Sequence, residues 1–160
     1  MQALAWITFL VLGVFFFSDV LERQFNPNPS PSTRDGQNGV REVVLQRNRQ
    51  GHYVTSGRIN GREVVFLLDT GATGVAIPEV IARELGLQRG RAYRTQTANG
   101  PSTSFATRLG EVSIGEIRLQ DVEAGIATGL NMDAILLGMS FLKHIEFTQR
   151  GNTLILRQYP

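Results

Sequence analysis

The feature that most constrains this chain is a series of short apolar segments of strand length, several of them alternating with a period of two, that begins after about residue 40. The candidate strands cover residues 42–45, 53–59, 63–68, 93–97 and 102–108, and the alternation continues through residues 112–124. A period of two places every second side chain on one face of a sheet, whereas a bundle helix needs a period near 3.6. Seventeen glycines favour turns over long helices. The sequence therefore predicts an all-β domain over residues 41–160.

Turn signals predict how several of these segments connect. Asn60 and Gly61 separate two strands and are typical of a type I′ hairpin. The Ala-Asn-Gly-Pro run at residues 98–101 predicts a second hairpin. Pro78 precedes an apolar stripe that predicts a short helix over residues 79–85. One or two short helices are therefore expected beside the strands.

The β region also contains a weak internal repeat. Residues 57–71 run from glycine through an apolar strand towards a short helix, and residues 112–138 follow the same order. Two half-domains related by a pseudo-twofold axis would produce this pattern. A chance match between glycine-rich β segments would produce it equally well.

The N-terminal stretch differs sharply from the rest of the chain. Residues 3–17 are apolar except for Thr8 and Gly13, and counted to Leu21 the stretch holds about 19 residues. That length is close to the ~20 residues that cross a bilayer core. A cleaved signal peptide is the alternative, but no basic residue precedes the stretch and residues 18–20 make a poor cleavage site. The sequence predicts an uncleaved transmembrane helix over residues 1–21 that contacts lipid through residues 3–21.

Residues 22–40 are rich in proline, asparagine and serine, and the runs 26–33 and 35–39 within them contain almost nothing that could be buried. Alternating prolines favour an extended polyproline II segment, although a disordered spacer of no fixed length is equally consistent. We therefore predict a linker between the helix and the domain. Arginines follow the apolar stretch and none precedes it, which favours a cytoplasmic domain by the positive-inside rule.

Charge and cysteine content exclude several functions. The net charge is +2, and the arginines are scattered from Arg23 to Arg157 instead of forming a basic stripe, so we expect no nucleic-acid partner. The chain has no cysteine, which excludes a disulfide scaffold, a cysteine-ligated zinc site and a thiol nucleophile. The sequence shows no cluster of metal ligands, and we expect neither a metal nor another cofactor.

Residues 66–73, Phe-Leu-Leu-Asp-Thr-Gly-Ala-Thr, place Asp69 directly after an apolar strand and before a glycine turn. Burying a carboxylate beside apolar side chains is costly unless donors surround it or it shares a proton. An aspartate that caps its own turn is the simpler alternative. An Ile-Leu-Leu-Gly run follows at residues 135–138. In this order and spacing, the two motifs resemble those of the retropepsin-like aspartic proteases, most closely the bacterial single-domain, membrane-anchored group.

The resemblance covers roughly residues 50–160 and implies a retropepsin-like single lobe. It implies that Asp69 is the catalytic residue, and that Thr70 hydrogen-bonds across a dyad while Gly71 lets the substrate backbone approach. Ala72 lacks the hydroxyl that pepsin-like relatives carry at this position. The implied substrate-binding flap is Ala98, Asn99 and Gly100, and the second-half motif is Leu136, Leu137 and Gly138.

Peptide hydrolysis by this route needs two carboxyl groups about one water apart, and the chain has a single Asp-Thr-Gly. The resemblance therefore implies a homodimer in which each protomer supplies Asp69 to cleave a polypeptide substrate. Terminal strands form the dimer sheet in retroviral relatives; residues 153–156 could serve there or close the monomer core. The family resemblance also implies a location in the bacterial inner membrane, with the domain in the periplasm. The alternative function is a non-catalytic dimeric peptide-binding or scaffolding module on the same fold.

Overall fold

The computed structural model describes the backbone of residues 2–97 and 100–160, without the side chains of residues 2–5, 15, 16 and 19. Three α-helices, one 3₁₀ helix at Gln37–Gly39 and eleven strands are assigned within these residues: α1 Gln2–Phe25, β1 Thr33–Asp35, β2 Arg41–Gln46, β3 Tyr53–Ile59, β4 Arg62–Leu68, β5 Val75–Pro78, α2 Glu79–Glu84, β6 Ala92–Thr97, β7 Gly100–Ile114, β8 Ile117–Ala127, β9 Ile135–Leu137, α3 Met139–Leu142, β10 Glu146–Arg150 and β11 Thr153–Gln158. The expectation of an all-β domain with few short helices is confirmed. Asn60 and Gly61 both have positive φ, at 50° and 80°, as the predicted type I′ hairpin requires.

The strands form two sheets. The smaller sheet has the order β1-β2-β11-β10 and is antiparallel throughout. The larger sheet has the order β3-β4-β9-β5-β8-β7-β6, and a further pairing of β3 with β7 closes it on itself. One core of aliphatic and aromatic side chains joins both sheets, from Val43 and Leu45 of β2 to Phe66 of β4 and Leu156 of β11. The catalytic loop predicted from the sequence, residues 69–74, follows β4, the second strand in the order of the larger sheet.

The strand order of the larger sheet contains an internal symmetry. β4 pairs parallel with β9, β5 pairs parallel with β8, and β5 meets β9 in antiparallel register. Exchanging β4 with β8 and β5 with β9 leaves this arrangement unchanged, and a short helix follows both β5 and β9. This exchange matches β4 with β8 and β5 with β9, whereas the sequence repeat matched the end of β4 with β9, so the strand symmetry does not confirm that repeat. The parallel pairing of β4 with β9 nevertheless places the two sequence motifs side by side.

Residues 153–156, offered from sequence as either a dimer strand or an internal one, are internal. β11 pairs with β10 on one side, from Glu146 opposite Arg157, and with β2 on the other, from Thr153 opposite Gln46. Both of its backbone edges are thus occupied within one chain. The dimer-strand interpretation of these residues is wrong because no hydrogen-bonding edge remains on β11 for a partner.

A helix is present where the sequence predicts a membrane span. It extends over Gln2–Phe25, and most of its described apolar side chains are exposed, including Trp6, which is 67% exposed and packs edge-on against Phe9. Among the described residues, however, no helix combines the length and the apolar character needed to cross a membrane.

The segment 22–40 is not the free extended spacer that its composition suggests. Its residues 25–29, here called the strap, lie against β2 and β3, and Asn26 and Asn28 are buried. The Asn28 amide donates to the carbonyls of Gln46 and Val54 over 2.9 and 2.7 Å and accepts from the Gln46 N–H over 2.7 Å. Residues further on add β1 to the small sheet. The expectation of nothing buried is wrong because asparagine can be buried when its amide replaces missing backbone partners.

Candidate active site

Strand β4 of the larger sheet positions Asp69 at its C-terminal end. Phe66 and Leu68 point into the core, and Asp69 follows directly, half-buried where the strand ends. The Gly71 N–H donates to Oδ1 of Asp69 over 2.9 Å. The turn-capping role considered from sequence is therefore real, but it uses one carboxylate oxygen only. No hydrogen-bond partner of Oδ2 occurs among the described residues, and the neighbouring Thr70 and Gly71 are exposed.

Backbone hydrogen bonds hold the loop after Asp69 to the second-half motif. The Asp69 N–H donates to the Leu137 carbonyl over 3.2 Å. In the opposite direction, the N–H of Met139 donates to the Ala72 carbonyl over 2.8 Å, and that of Ser140 donates to the Thr73 carbonyl over 3.1 Å. The structure thus brings the two predicted motifs into direct contact, with the loop fixed at both ends.

Gly138 is required by close packing. A Cβ atom at this position would lie 2.3 Å from the Gly74 carbonyl oxygen and 2.5 Å from the Ala72 carbonyl oxygen. Both are backbone atoms of the catalytic loop, so neither can rotate away as a flexible side chain would. The glycine of the second-half motif therefore allows the loop to pack directly on the chain that follows β9.

Ser140 is a loop-holding residue that the sequence did not single out. Its hydroxyl accepts from the Val75 N–H over 3.0 Å and donates to the Glu123 carbonyl over 3.1 Å. It therefore links the start of β5, the first turn of α3 and strand β8. The available signal was a small hydroxyl residue two positions after the motif glycine, but nothing local indicates its partners.

The predicted flap coincides with the β6–β7 hairpin. The two strands pair from Ala92 opposite Phe105 to Thr97 opposite Gly100, and Gly100 has φ 105°. Ala98 and Asn99, which were predicted to form the tip, lie outside the described residues. The hairpin is present; its role as a flap stays a prediction.

Two contacts pack the base of this hairpin against the rest of the domain. The Tyr93 hydroxyl approaches Gly125 so closely that a Cβ there would lie 2.2 Å from it. The Arg89 guanidinium lies 4.8 Å from the centre of the Phe105 ring and pairs with Glu79. The hairpin base is thus held by packing against β8 and α2.

Two cavities lie beside the strap and the catalytic loop. A cavity of about 1180 Å³ lies between the strap and the residues before β9, lined in part by Phe25, Val65 and Met132. Another of about 890 Å³ reaches the back of the catalytic loop at Thr73 and Gly74. Asp69 lines neither one.

The comparisons with known proteins agree with this geometry. Residues 55–144 match the family described as gag-polyprotein putative aspartyl protease. The crystal structure of a retropepsin-like aspartic protease from Rickettsia conorii superposes with a TM-score of 0.63 at 31% identity, covering 81% of this chain and 96% of that one.

Two curated relatives are uncharacterized proteins. One, encoded in the cobV 5′ region of a Sinorhizobium species, is 37% identical over 74% of this chain and 53% of its own length. The other, RP867 of Rickettsia prowazekii, is 28% identical over 75% of this chain and 52% of its own. The chain therefore spans about half the length of the curated relatives it matches.

Proposed function

Because this chain belongs to the retropepsin-like aspartic protease family, we propose that it is an aspartic endopeptidase whose active site forms from two copies of Asp69. The proposal rests on the position of the Asp69 carboxylate on a fixed, exposed loop. One of its oxygens accepts a hydrogen bond from the Gly71 N–H, and the other has no hydrogen-bond partner among the described residues. A turn-capping aspartate needs no such placement, whereas a residue that must face a substrate does.

The reaction requires two carboxyl groups that share one proton. One takes a proton from the attacking water while the other, protonated, donates to the scissile carbonyl oxygen. Two carboxylates so close repel each other when both are charged, which is why the pair holds one proton between them. Since the chain contains Asp-Thr-Gly once, the second carboxyl comes from a partner protomer related by a twofold axis.

The other residues of the loop act through position. The Gly71 N–H orients Asp69 and leaves the second oxygen free for water. Thr70 is exposed beside it, where its hydroxyl can bond across the dyad. The β6–β7 hairpin supplies a flap that closes over the peptide and excludes water. These assignments extend the family resemblance to the positions of this chain.

The decisive experiment replaces Asp69 by asparagine in the full chain and measures cleavage of a mixed peptide library. Asp69→Asn keeps the shape of the side chain but removes the general base, so we expect at least a ~10²- to 10⁴-fold loss of rate. The matched control is Asp121→Asn, because Asp121 is exposed, pairs with Arg108 and has φ 60°, a conformation that asparagine also tolerates. The control should cleave like the parent.

Cleavage that survives Asp69→Asn would reject the enzyme assignment. A parent chain that binds peptides without cleaving them would instead support the binding-module alternative. Purification from a strain that lacks other peptidases removes the ambiguity of a contaminating activity.

Localisation is a separate proposal, with the chain as a single-pass protein of the bacterial inner membrane and its domain in the periplasm. The apolar composition of residues 3–17 supports it, and the arginines that follow favour the opposite side of the membrane. Membrane fractionation, followed by protease treatment of intact spheroplasts, tests both points. Recovery in the soluble fraction would overturn the anchor, and protection from external protease would place the domain in the cytoplasm.

A further inference from the structure

The turn between β2 and β3 carries positive charge that no nearby carboxylate offsets. Its residues 47–52, Arg-Asn-Arg-Gln-Gly-His, are here called the basic loop. Arg47, Arg49 and His52 are exposed, and residues 43–62 contain no aspartate or glutamate. Neither arginine has an ion-pair partner in the described part of the chain. The arginines that do pair with carboxylates there are Arg58, Arg89, Arg108, Arg118 and Arg157.

A buried asparagine fixes the shape of the basic loop. Oδ1 of Asn48 accepts from the N–H groups of Gln50 and His52 over 3.0 and 2.9 Å, and the Asn48 N–H donates to the His52 carbonyl over 2.8 Å. The amide nitrogen of Asn48 donates to the Phe25 carbonyl over 3.0 Å, which ties the basic loop to the strap. The two arginines therefore extend from an ordered backbone, so binding a ligand requires only their side chains to be immobilised.

Strand register places the basic loop beside the catalytic loop. The β3–β4 ladder ends with Tyr53 opposite Leu68, so the next residue on each chain is His52 and Asp69. Arg47 meets Tyr53 from the other side, in an isolated antiparallel bridge. Paired strands lie about 4.8 Å apart, so two such steps put the Arg47 backbone about 10 Å from that of Leu68. An extended peptide covers that distance in about three residues.

The other segments around Asp69 supply little negative charge. Residues 70–78 contain no charged side chain, and the segment between β8 and β9 contributes one carboxylate, that of Asp133. The predicted flap hairpin and the residues just before it add Arg91 and Arg94, which are exposed and have no ion-pair partner among the described residues. Exposed cations that no carboxylate neutralises raise the local concentration of anionic ligands.

We propose that the basic loop makes this chain selective for acidic peptides, with Arg47 and Arg49 binding a substrate carboxylate about three residues from the scissile bond. The proposal rests on the proposed function, because the distance applies only to a peptide that lies across Asp69. A guanidinium suits this ligand, since it offers a carboxylate two parallel N–H donors. Each protomer supplies one basic loop, so an acidic residue on either side of the scissile bond is bound.

Two peptide libraries test the preference. They share four randomised apolar residues and differ only in the residue that flanks these four on each side, glutamate in one library and glutamine in the other. The flanking residue is then the third on either side of the central bond. We expect the full chain to cleave the glutamate library with a roughly 3- to 10-fold higher kcat/KM, mainly through KM, as two exposed ion pairs provide. Added salt should reduce this ratio. Equal cleavage of both libraries would overturn the proposal.

Neutralising the basic loop tests which residues are responsible. The double variant R47Q/R49Q should lose most of the glutamate preference. The matched control is R58Q/R118Q, which removes the same charge from two exposed arginines that both lie beside Ser113. Arg58 is five residues along β3 from Tyr53, about 17 Å away, so the control should keep the parent ratio. An unchanged ratio in R47Q/R49Q, or an equal decline in both double variants, would overturn the proposal.

Binding measurements distinguish a peptide from a lipid ligand. Phosphatidylserine vesicles present the same kind of anionic group on a membrane surface. If R47Q/R49Q weakens binding to these vesicles but leaves the library ratio unchanged, the basic loop contacts lipid and the proposal is overturned. Vesicle binding equal to that of the parent, together with a lost glutamate preference, supports the peptide ligand.

The Asp69→Asn chain separates this proposal from the function on which it rests. A parent that cleaves both libraries equally keeps the proposed function and loses the substrate preference. If the parent cleaves neither library, the enzyme assignment fails. Tighter binding of the glutamate library by Asp69→Asn, abolished when R47Q/R49Q is added, would still support the basic loop as an acidic-peptide surface.

Discussion

The catalytic loop and the strap are both irregular segments fixed to the same domain, but they are fixed by different groups. The loop after Asp69 is held by main-chain hydrogen bonds to Leu137, Met139 and Ser140. The strap is held mainly by side chains, with the Asn28 amide making three hydrogen bonds and the Asn26 amide donating to the Ser56 hydroxyl over 3.0 Å.

This difference determines which substitutions each segment tolerates. Main-chain bonds depend on backbone position, so the loop is sensitive to an added Cβ at Gly138 and less so to the identity of its exposed side chains. Side-chain bonds depend on identity, so the strap needs an amide of the right length at position 28. The comparison predicts that loop changes affect cleavage first, whereas strap changes affect stability first.

Gly138→Ala should have the largest effect. Its Cβ would meet two loop carbonyls within 2.5 Å, so the loop must move, and a displacement of about 1 Å costs ~100-fold in rate. We also expect a loss of about 1–3 kcal/mol in the free energy of unfolding from overpacking. Peptide cleavage and urea unfolding measure the two effects. Gly74→Ala is the control, since nothing lies within 4 Å of a Cβ there; equal losses in both variants would reject the packing explanation.

Asn28→Ala should destabilise the chain without changing the loop. It removes three hydrogen bonds and leaves partners of the amide unsatisfied at a buried position, for an expected loss of about 2–4 kcal/mol. Cleavage per folded molecule should match that of the parent. Asn131→Ala, at an exposed position, is the control and should unfold like the parent. A change in kcat without a change in stability would show that the strap acts on the site.

Ser140→Ala tests the side-chain hydrogen bonds that hold the end of the catalytic loop, and it should have an intermediate effect. Losing the bonds to Val75 and Glu123 should cost ~1–2 kcal/mol, with a few-fold loss of kcat as the end of the loop loosens. Ser30→Ala removes an exposed hydroxyl from the segment after the strap and serves as the control. Full activity in Ser140→Ala would mean that the main-chain bonds alone hold the loop.

Tyr159→Phe should have the smallest effect, because it alters the smaller sheet and lies in neither the catalytic loop nor the strap. The Tyr159 hydroxyl donates to Glu146 over 2.7 Å and, together with Arg157, lowers the pKa of Glu146, while the same bond raises the pKa of Tyr159. The carboxylate contribution to stability is therefore present above the ordinary pKa of Glu146 and is lost as the pH falls through its lowered folded value.

In Tyr159→Phe the pKa of Glu146 should rise towards its ordinary value, which NMR titration of the side-chain carboxyl carbon measures. Stability at neutral pH should hardly change, because both groups are exposed. Tyr53→Phe, on the other sheet, should leave the Glu146 titration unaltered. The same result from both variants would contradict a local hydrogen bond.

The sequence predicted the parts of this protein that depend on near neighbours. Alternation placed strands over residues 53–59 and 93–97, and Asn60 with Gly61 set the hairpin turn, because both signals depend on residues within one turn or one strand. The Asp-Thr-Gly and Ile-Leu-Leu-Gly runs marked the two segments that meet, although only the family resemblance joined them. The role of Ser140 had no local signal, since its partners lie 17 and 65 positions away.

What the sequence determined by itself is the position of Asp69, at the end of an apolar strand and before a glycine turn, because strand periodicity and turn chemistry are local. The tertiary structure alone decided that the strap is buried, that β11 is internal and that β10 pairs on one side only among the described strands. Each of these depends on which distant backbone groups remain without a partner once the sheets have formed. Composition cannot reveal this, because the same asparagine or strand is exposed or buried according to the neighbours that the fold supplies.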